Sequence, residues 1–200
     1  MFIVPADAPG LRIGKLEPKL GCRASACGEL HFENCRIPKE NLVGELNRGF
    51  RLMMQGIDIG RLGIAACSIG IAQEAYERAR EYAKTRVQFG KPICENQSIA
   101  FYLADMAAEI DMARTMLYHA ARMRDSGMDY SAEAAAIKLF ASQMCIRTAE
   151  QAIQIHGGNG YSEDYTVEML WRDSKLMTLG EGTTEICKLV LSRQCLKGNY

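Results

Sequence analysis

Three long stretches of this chain place an apolar residue at every third or fourth position, and very little separates one stretch from the next. Ile69, Ala72, Tyr76, Ala79 and Ala83 form the first stripe; Ile99, Leu103, Met106, Ile110, Ala113 and Leu117 form the second; Ile137, Ala141, Met144, Thr148, Ala152 and Ile155 form the third. This spacing lays one apolar band along each of three α-helices. The links carry turn chemistry. Gly90 and Pro92 lie in the first, Gly127 in the second, and Ser131 suits an N-cap with Glu133 in the turn that follows. Gly157-Gly158-Asn159-Gly160 closes the third helix, because a helix end calls for a left-handed residue that glycine adopts without strain. Two shorter helices are expected near 163–176 and 183–197. Short links make neighbouring helices antiparallel, so the expected fold is mainly α: an up-and-down four-helix bundle with short extra C-terminal helices.

The chain changes character near residue 45. Before it stand Pro5, Pro9, Pro18, Pro38 and short alternating runs such as Glu29-Leu30-His31-Phe32-Glu33, which read as strands and turns. Forty-odd residues of this kind cannot build a core of their own. Residues 1–45 are therefore expected to be the C-terminal strands of an incomplete β domain, and 46–200 a helical bundle domain.

The formal net charge is zero, which gives no electrostatic reason to expect a nucleic-acid or anionic-membrane partner. No apolar run is expected to span a bilayer, and the first residues lack the pattern of a signal peptide. Eight cysteines occur without any C-x-x-C pair, several beside alanines in expected helices. They read as reduced, buried small hydrophobes rather than a disulfide or zinc framework, which implies a reducing, cytoplasmic compartment. His31 and His119 have no partners at metal or triad spacing, and no Glu-x-x-His is present, so no metal site is expected.

Leu179-Gly180-Glu181-Gly182-Thr183-Thr184-Glu185-Ile186 sets one carboxylate between two glycines. Glycines permit close backbone approach to a ligand and leave Glu181 clear of neighbouring side chains. The same residues also suit a helix entry: Thr178 to Glu181 fits a capping box, and Thr183 or Thr184 suits an N-cap.

Five elements in order resemble the C-terminal half of the acyl-CoA dehydrogenase family: Asp58-Ile59-Gly60-Arg61; Arg86 to Ile93; Asn96-Gln97; Gln154-Ile155-His156-Gly157-Gly158-Asn159-Gly160-Tyr161; and Glu181 to Ile186. Lys19 to Ser25 and Phe32 to Pro38 look like the last strands of that family's middle β domain. The resemblance implies a flavin-dependent oxidoreductase, with FAD as cofactor and an acyl-CoA as substrate. A base takes the proton α to the thioester, and a hydride passes from the β-carbon to flavin N5. Glu181 matches the base, expected in a mostly apolar pocket that raises its proton affinity. Backbone N–H groups around Glu181 and Gly182 would bind the thioester oxygen. In some branches the base stands just before the arginine of the first helix; here that position is Gly60, so one base site is filled and the other vacant. This favours the short- and medium-chain-like branch.

The remaining positions carry over from the same resemblance. Asp58, Ile59, Gly60 and Arg61 lie near the acyl-CoA, although Asp58 and Arg61 also suit a surface ion pair across one turn. Arg86 reaches the flavin diphosphate of a neighbouring subunit, or is a solvated charge at a helix end. Gln88, Phe89 and Gln97 lie on the cofactor side, although Phe89 also suits a loop plug and Gln97 an exposed helix start. Gln154, Ile155, His156, Gly157 and Gly158 face the neighbour's FAD, with His156 as a wall residue. Thr183, Thr184 and Glu185 line the flavin beside the base. The family's bundle forms dimers and tetramers, and an electron-transfer flavoprotein is the implied acceptor. A non-catalytic oligomerisation role and a related enoyl-CoA reductase or acyl-CoA oxidase remain as alternatives. The family's N-terminal helical domain and the first half of its β domain are not in this sequence, so the chain by itself is expected to be inactive and to hold FAD poorly.

Overall fold

The stripes become helices in the computed structural model, which describes residues 1–198. Two compact units divide the chain between Ile57 and Asp58, inside the first helix.

In the first unit, strand β1 (Leu11–Leu16) pairs antiparallel with β2 (Gly28–Phe32), Leu11 opposite Phe32 and Ile13 opposite Leu30, with a bulge between Ile13 and Leu16. The ribbon leaves Ile13, Leu16, Leu30 and Phe32 exposed. A two-stranded ribbon has no second layer on which to bury such side chains.

The second unit is helical. Helix α1 (Gly49–Thr85) is followed by the two-residue strands β3 (Val87–Gln88) and β4 (Lys91–Pro92), then α2 (Gln97–Asp125), α3 (Ser131–His156), α4 (Val167–Met177) and α5 (Thr184–Leu196). Two core clusters establish the antiparallel order. Leu62, Ala65, Ile69 and Ala72 from early α1 meet Ile110, Ala113 and Ala120 from late α2, together with Ala134, Ile137, Ala141 and Met144 from early α3. Ala75, Ala79 and Ala83 from late α1 meet Met106 from α2, Ala149, Ala152 and Ile155 from late α3, and Val167 and Leu170 from α4. Alanines dominate the seam, so any added volume there is costly.

Several boundaries differ from expectation for local reasons. α1 starts twenty residues before its stripe, because Gly56, Gly60 and Gly63 interrupt the apolar period without breaking the helix. Ser131 is the first residue of α3 rather than its cap; its N–H donates to the Asp129 carboxylate at 3.1 Å. Thr178 ends α4 instead of opening a capping box, and Thr183 caps α5 by accepting the Ile186 N–H at 3.5 Å. Contrary to expectation, α1 is long and apolar enough to cross a membrane by length and composition. Its Ile, Leu and Ala content lifts the average, while Ala65, Ile69 and Ala72 are buried against α2 and α3.

All eight cysteines are free, but Cys145 and Cys187 alone are fully buried; Cys27, Cys67 and Cys195 are exposed. Burial pushes the Cys145 thiol up to about 12. Brief iodoacetamide treatment of the native protein should therefore label the exposed three, read by peptide mass spectrometry, and leave Cys145 unmodified until the protein is denatured. Native labelling of Cys145 would contradict this packing.

Candidate functional site

Two clusters of the singled-out residues form, one at each end of the second unit's part of α1. The first surrounds Glu181. The segment between α4 and α5 is a tight turn in which Glu181 (φ 53°) and Gly182 (φ 99°) are both left-handed. For glutamate that conformation costs roughly 1–2 kcal/mol and needs outside support. Two buried cations supply it. The Arg61 side chain, 2% exposed, donates from Nε to the Glu181 carbonyl at 3.4 Å and from Nη1 to Asp58 Oδ1 at 2.7 Å. Lys138, with no exposed surface, donates from Nζ to the Gly182 carbonyl at 2.5 Å. The Asp58–Arg61 pair is thus a buried brace for the turn rather than a surface ion pair.

The Glu181 side chain lies over Gly60. A methyl group at Gly60 would stand 2.5 Å from Glu181 Cδ and 2.6 Å from Oε2, so the carboxyl occupies the space that a longer residue on α1 would fill. Glu181 itself is exposed, with Arg61 bound to its backbone carbonyl and Lys138 to the next one. Ile59 is exposed beside Gly60. Thr183 and Thr184 follow at the start of α5, and the Glu185 carboxylate is held below the usual carboxylate range by its own backbone N–H and by the Thr183 hydroxyl.

Lys138 escaped the sequence reading. It sits among Ala134, Ala135, Ala141 and Ser142 on the buried face of α3. Burial pushes its ammonium below the ordinary lysine range and Arg61 acts the same way, against the opposing influence of Cys187, Glu185 and Glu181.

The second cluster lies beyond the other end of α1. Arg86, Gln88, Ile155, His156, Gly157 and Gly158 line one open cleft of about 430 Å³, together with Tyr82, Ile93 and Asn159. Gly157 takes φ 60° and ψ −138°, a conformation open in practice to glycine, and a side-chain carbon at Gly157 or Gly158 would meet nothing within 4 Å. A bare backbone shelf beside a guanidinium suits a diphosphate. Gln154 points elsewhere, exposed on α3; Gln97 is exposed at the start of α2; Phe89 is 97% exposed at the tip of the β3–β4 hairpin.

His156 is buried in an aromatic stack, 4.2 Å from the Tyr82 ring and edge-on to Tyr165. Asn159, not singled out beforehand, ties both tyrosine hydroxyls together. The His156 Nδ1 lies 2.7 Å from the Ala152 carbonyl, which assigns the proton to that nitrogen. Burial holds its affinity for a second proton below the ordinary imidazole range, and Arg78 adds to this; the Ala152 bond opposes it.

The sequence from 47 to 196 matches the family described as acyl-CoA dehydrogenase, C-terminal domain. The chain is 50% identical over 98% of its length to the probable acyl-CoA dehydrogenase YngJ of Bacillus subtilis, covering 52% of that protein. It is 42% identical, over 98% of its length and 52% of the relative, to the caffeyl-CoA reductase–Etf complex subunit CarC of Acetobacterium woodii. The structure of butyryl-CoA dehydrogenase from Megasphaera elsdenii superposes with a TM-score of 0.96 at 43% identity, over 98% of this chain and 51% of that one. The chain spans about half the length of the curated relatives it matches.

The folded state of His156 disfavours the proton that the unfolded chain accepts near 6.5. Stability is therefore full above that pH and is lost as pH falls towards the depressed folded value. The thermal midpoint should drop on acidification from pH 7 to 5. His156→Phe, which keeps a ring against Tyr82, should flatten that slope; an unchanged slope would assign the acid sensitivity to other groups.

Proposed function

Because the chain belongs to the acyl-CoA dehydrogenase family, we propose that it is the proton-transfer and cofactor-clamping half of a flavoprotein that introduces a double bond between Cα and Cβ of an acyl-CoA thioester. The observation that carries this reading is the Glu181 carboxyl held above Gly60 in a left-handed turn pinned by two buried cations.

Glu181 removes the α-proton. Each peptide is planar and trans, so the Gly182 and Thr183 N–H groups project opposite to the carbonyls held by Arg61 and Lys138. Those two N–H groups can donate to the thioester oxygen and stabilise the enolate as it develops. Bound FAD supplies the hydride acceptor that no amino-acid side chain provides. Thr183 and Thr184 would line it beside the base.

The diphosphate of an FAD suits Arg86, Gln88, Gly157 and Gly158, with Ile155 and His156 as the wall behind them. Arg61 and the end of α1 at Thr85 are separated by roughly 36 Å of helix at 1.5 Å per residue. One flavin cannot serve both ends. The second cluster is therefore assigned to the FAD of a neighbouring copy, which makes the working protein a homodimer or homotetramer.

The electron acceptor is proposed to be an electron-transfer flavoprotein, in keeping with the Etf partner in the name of one relative. That relative's name also favours a second reading, in which the same site runs as an enoyl-CoA reductase and Glu181 returns a proton to Cα. Free cysteines throughout accord with a reducing compartment, so we place the protein in the cytoplasm, or the mitochondrial matrix of a eukaryote, in fatty acid metabolism.

In the full-length protein, Glu181→Gln should lower turnover by about 10²- to 10⁴-fold while the flavin absorbance of the purified protein is retained. Unchanged turnover would remove Glu181 as the base. Gly60→Ala separates position from stability. Alanine strengthens a helix interior by about 0.5–1 kcal/mol, yet its methyl collides with Glu181. The expected outcome is an undiminished thermal midpoint with turnover reduced about tenfold or more; full turnover would show that the carboxyl works from another position.

A further inference from the structure

We propose that Lys138 is a positioning residue for proton transfer: it grips the Gly182 carbonyl and thereby keeps the Glu181–Gly182 turn in the left-handed form that sets the carboxyl over Gly60. The proposal rests on the assignment of Glu181 as the base. Two features of the lysine are hard to reconcile with a role in core packing. Its surroundings on α3 are Ala134, Ala135, Ala141 and Ser142, where an apolar chain of similar length would bury at lower cost. Its hydrogen-bond acceptor is a backbone carbonyl 44 positions away, in the short segment that carries the base, and the contact is a close one at 2.5 Å.

The alternatives for holding that segment are weaker. Arg61 reaches the preceding carbonyl at the longer distance of 3.4 Å and spends its stronger contact on Asp58. Cys187 lies 3.9 Å from the same Gly182 oxygen, a thiol contact of little strength. The Thr184 N–H donates to the Thr178 carbonyl at 3.1 Å and closes the segment, and the Ile186 N–H to the Thr183 hydroxyl fixes the start of α5, but neither bond holds the Glu181 or the Gly182 carbonyl. Without the ammonium, the Glu181–Gly182 peptides can relax towards right-handed conformations, and the carboxyl leaves its place over Gly60.

The test uses the full-length protein with Lys138→Met, which keeps length and loses the donor, and Lys138→Gln, which keeps a neutral donor. Hydrogen–deuterium exchange read by mass spectrometry compares peptides covering 178–184 with peptides covering 106–120 in the α2 core. For Lys138→Met we expect about tenfold faster exchange at 178–184 and no change at 106–120. Turnover should fall about tenfold with KM within about twofold, and Lys138→Gln should recover most of both effects. Unchanged exchange at 178–184, acceleration spread evenly over the bundle, failure of Lys138→Met to fold, or a glutamine variant no better than methionine would each overturn the proposal. Exchange does not require Glu181 to be the base, so turnover that survives Glu181→Gln would remove the base assignment and leave the grip of Lys138 separately decided.

Discussion

The close approach of α1, α2 and α3 along an alanine seam is the constraint on which the site depends. Ala65, Ala72, Ala75, Ala79 and Ala83 on α1 and Ala134, Ala141, Ala149 and Ala152 on α3 have essentially no exposed surface. Side chains this small leave little volume between the packed faces. One arginine from α1 and one lysine from α3 reach successive carbonyls of the same short turn. Bulkier residues along the seam would move the anchors apart, and the turn would lose its shape before the bundle lost its core.

The buried cations carry a cost that the turn returns in geometry. Arg61 is compensated by Asp58. Lys138 has a carbonyl as its hydrogen-bond partner, and no ion pair involving it occurs among the described residues. Such an arrangement contributes little to net stability. Its effect is to select one conformation of Glu181 and Gly182 from the several that a glycine-flanked segment would otherwise sample. Pre-organisation of this kind is what a proton acceptor requires, since a displacement of an ångström costs far more in rate than in folding free energy.

Much of this was legible in the sequence. The 3.6-residue periodicity predicts three antiparallel helices, and glycine punctuation marks the end of α3, because both are local properties of the chain. Arg86, Gln88, Gly157 and Gly158 fall in one cleft. Lys138 was not legible: a lysine in an alanine-rich helix reads as solvated, and its burial is decided by a segment 44 residues away. The start of α1 was hidden by glycines that a helix tolerates when tertiary packing supports it. The cationic brace on the turn was missed for a related reason. Asp58 and Arg61 fit an exposed i,i+3 pair equally well, and their burial depends on how the later turn folds back over them.

The overlap between Glu181 and the empty volume at Gly60 has an evolutionary corollary. A single point in space can receive a carboxylate either from the turn or from the helix, but not from both at once. Moving the acid from one attachment to the other takes two substitutions. Installing the helix acid first forces two like-charged groups into one space, and clearing the turn first leaves no acceptor at all. On the proposed role of Glu181, the glycine on α1 is thus the lock that keeps the acid on the turn.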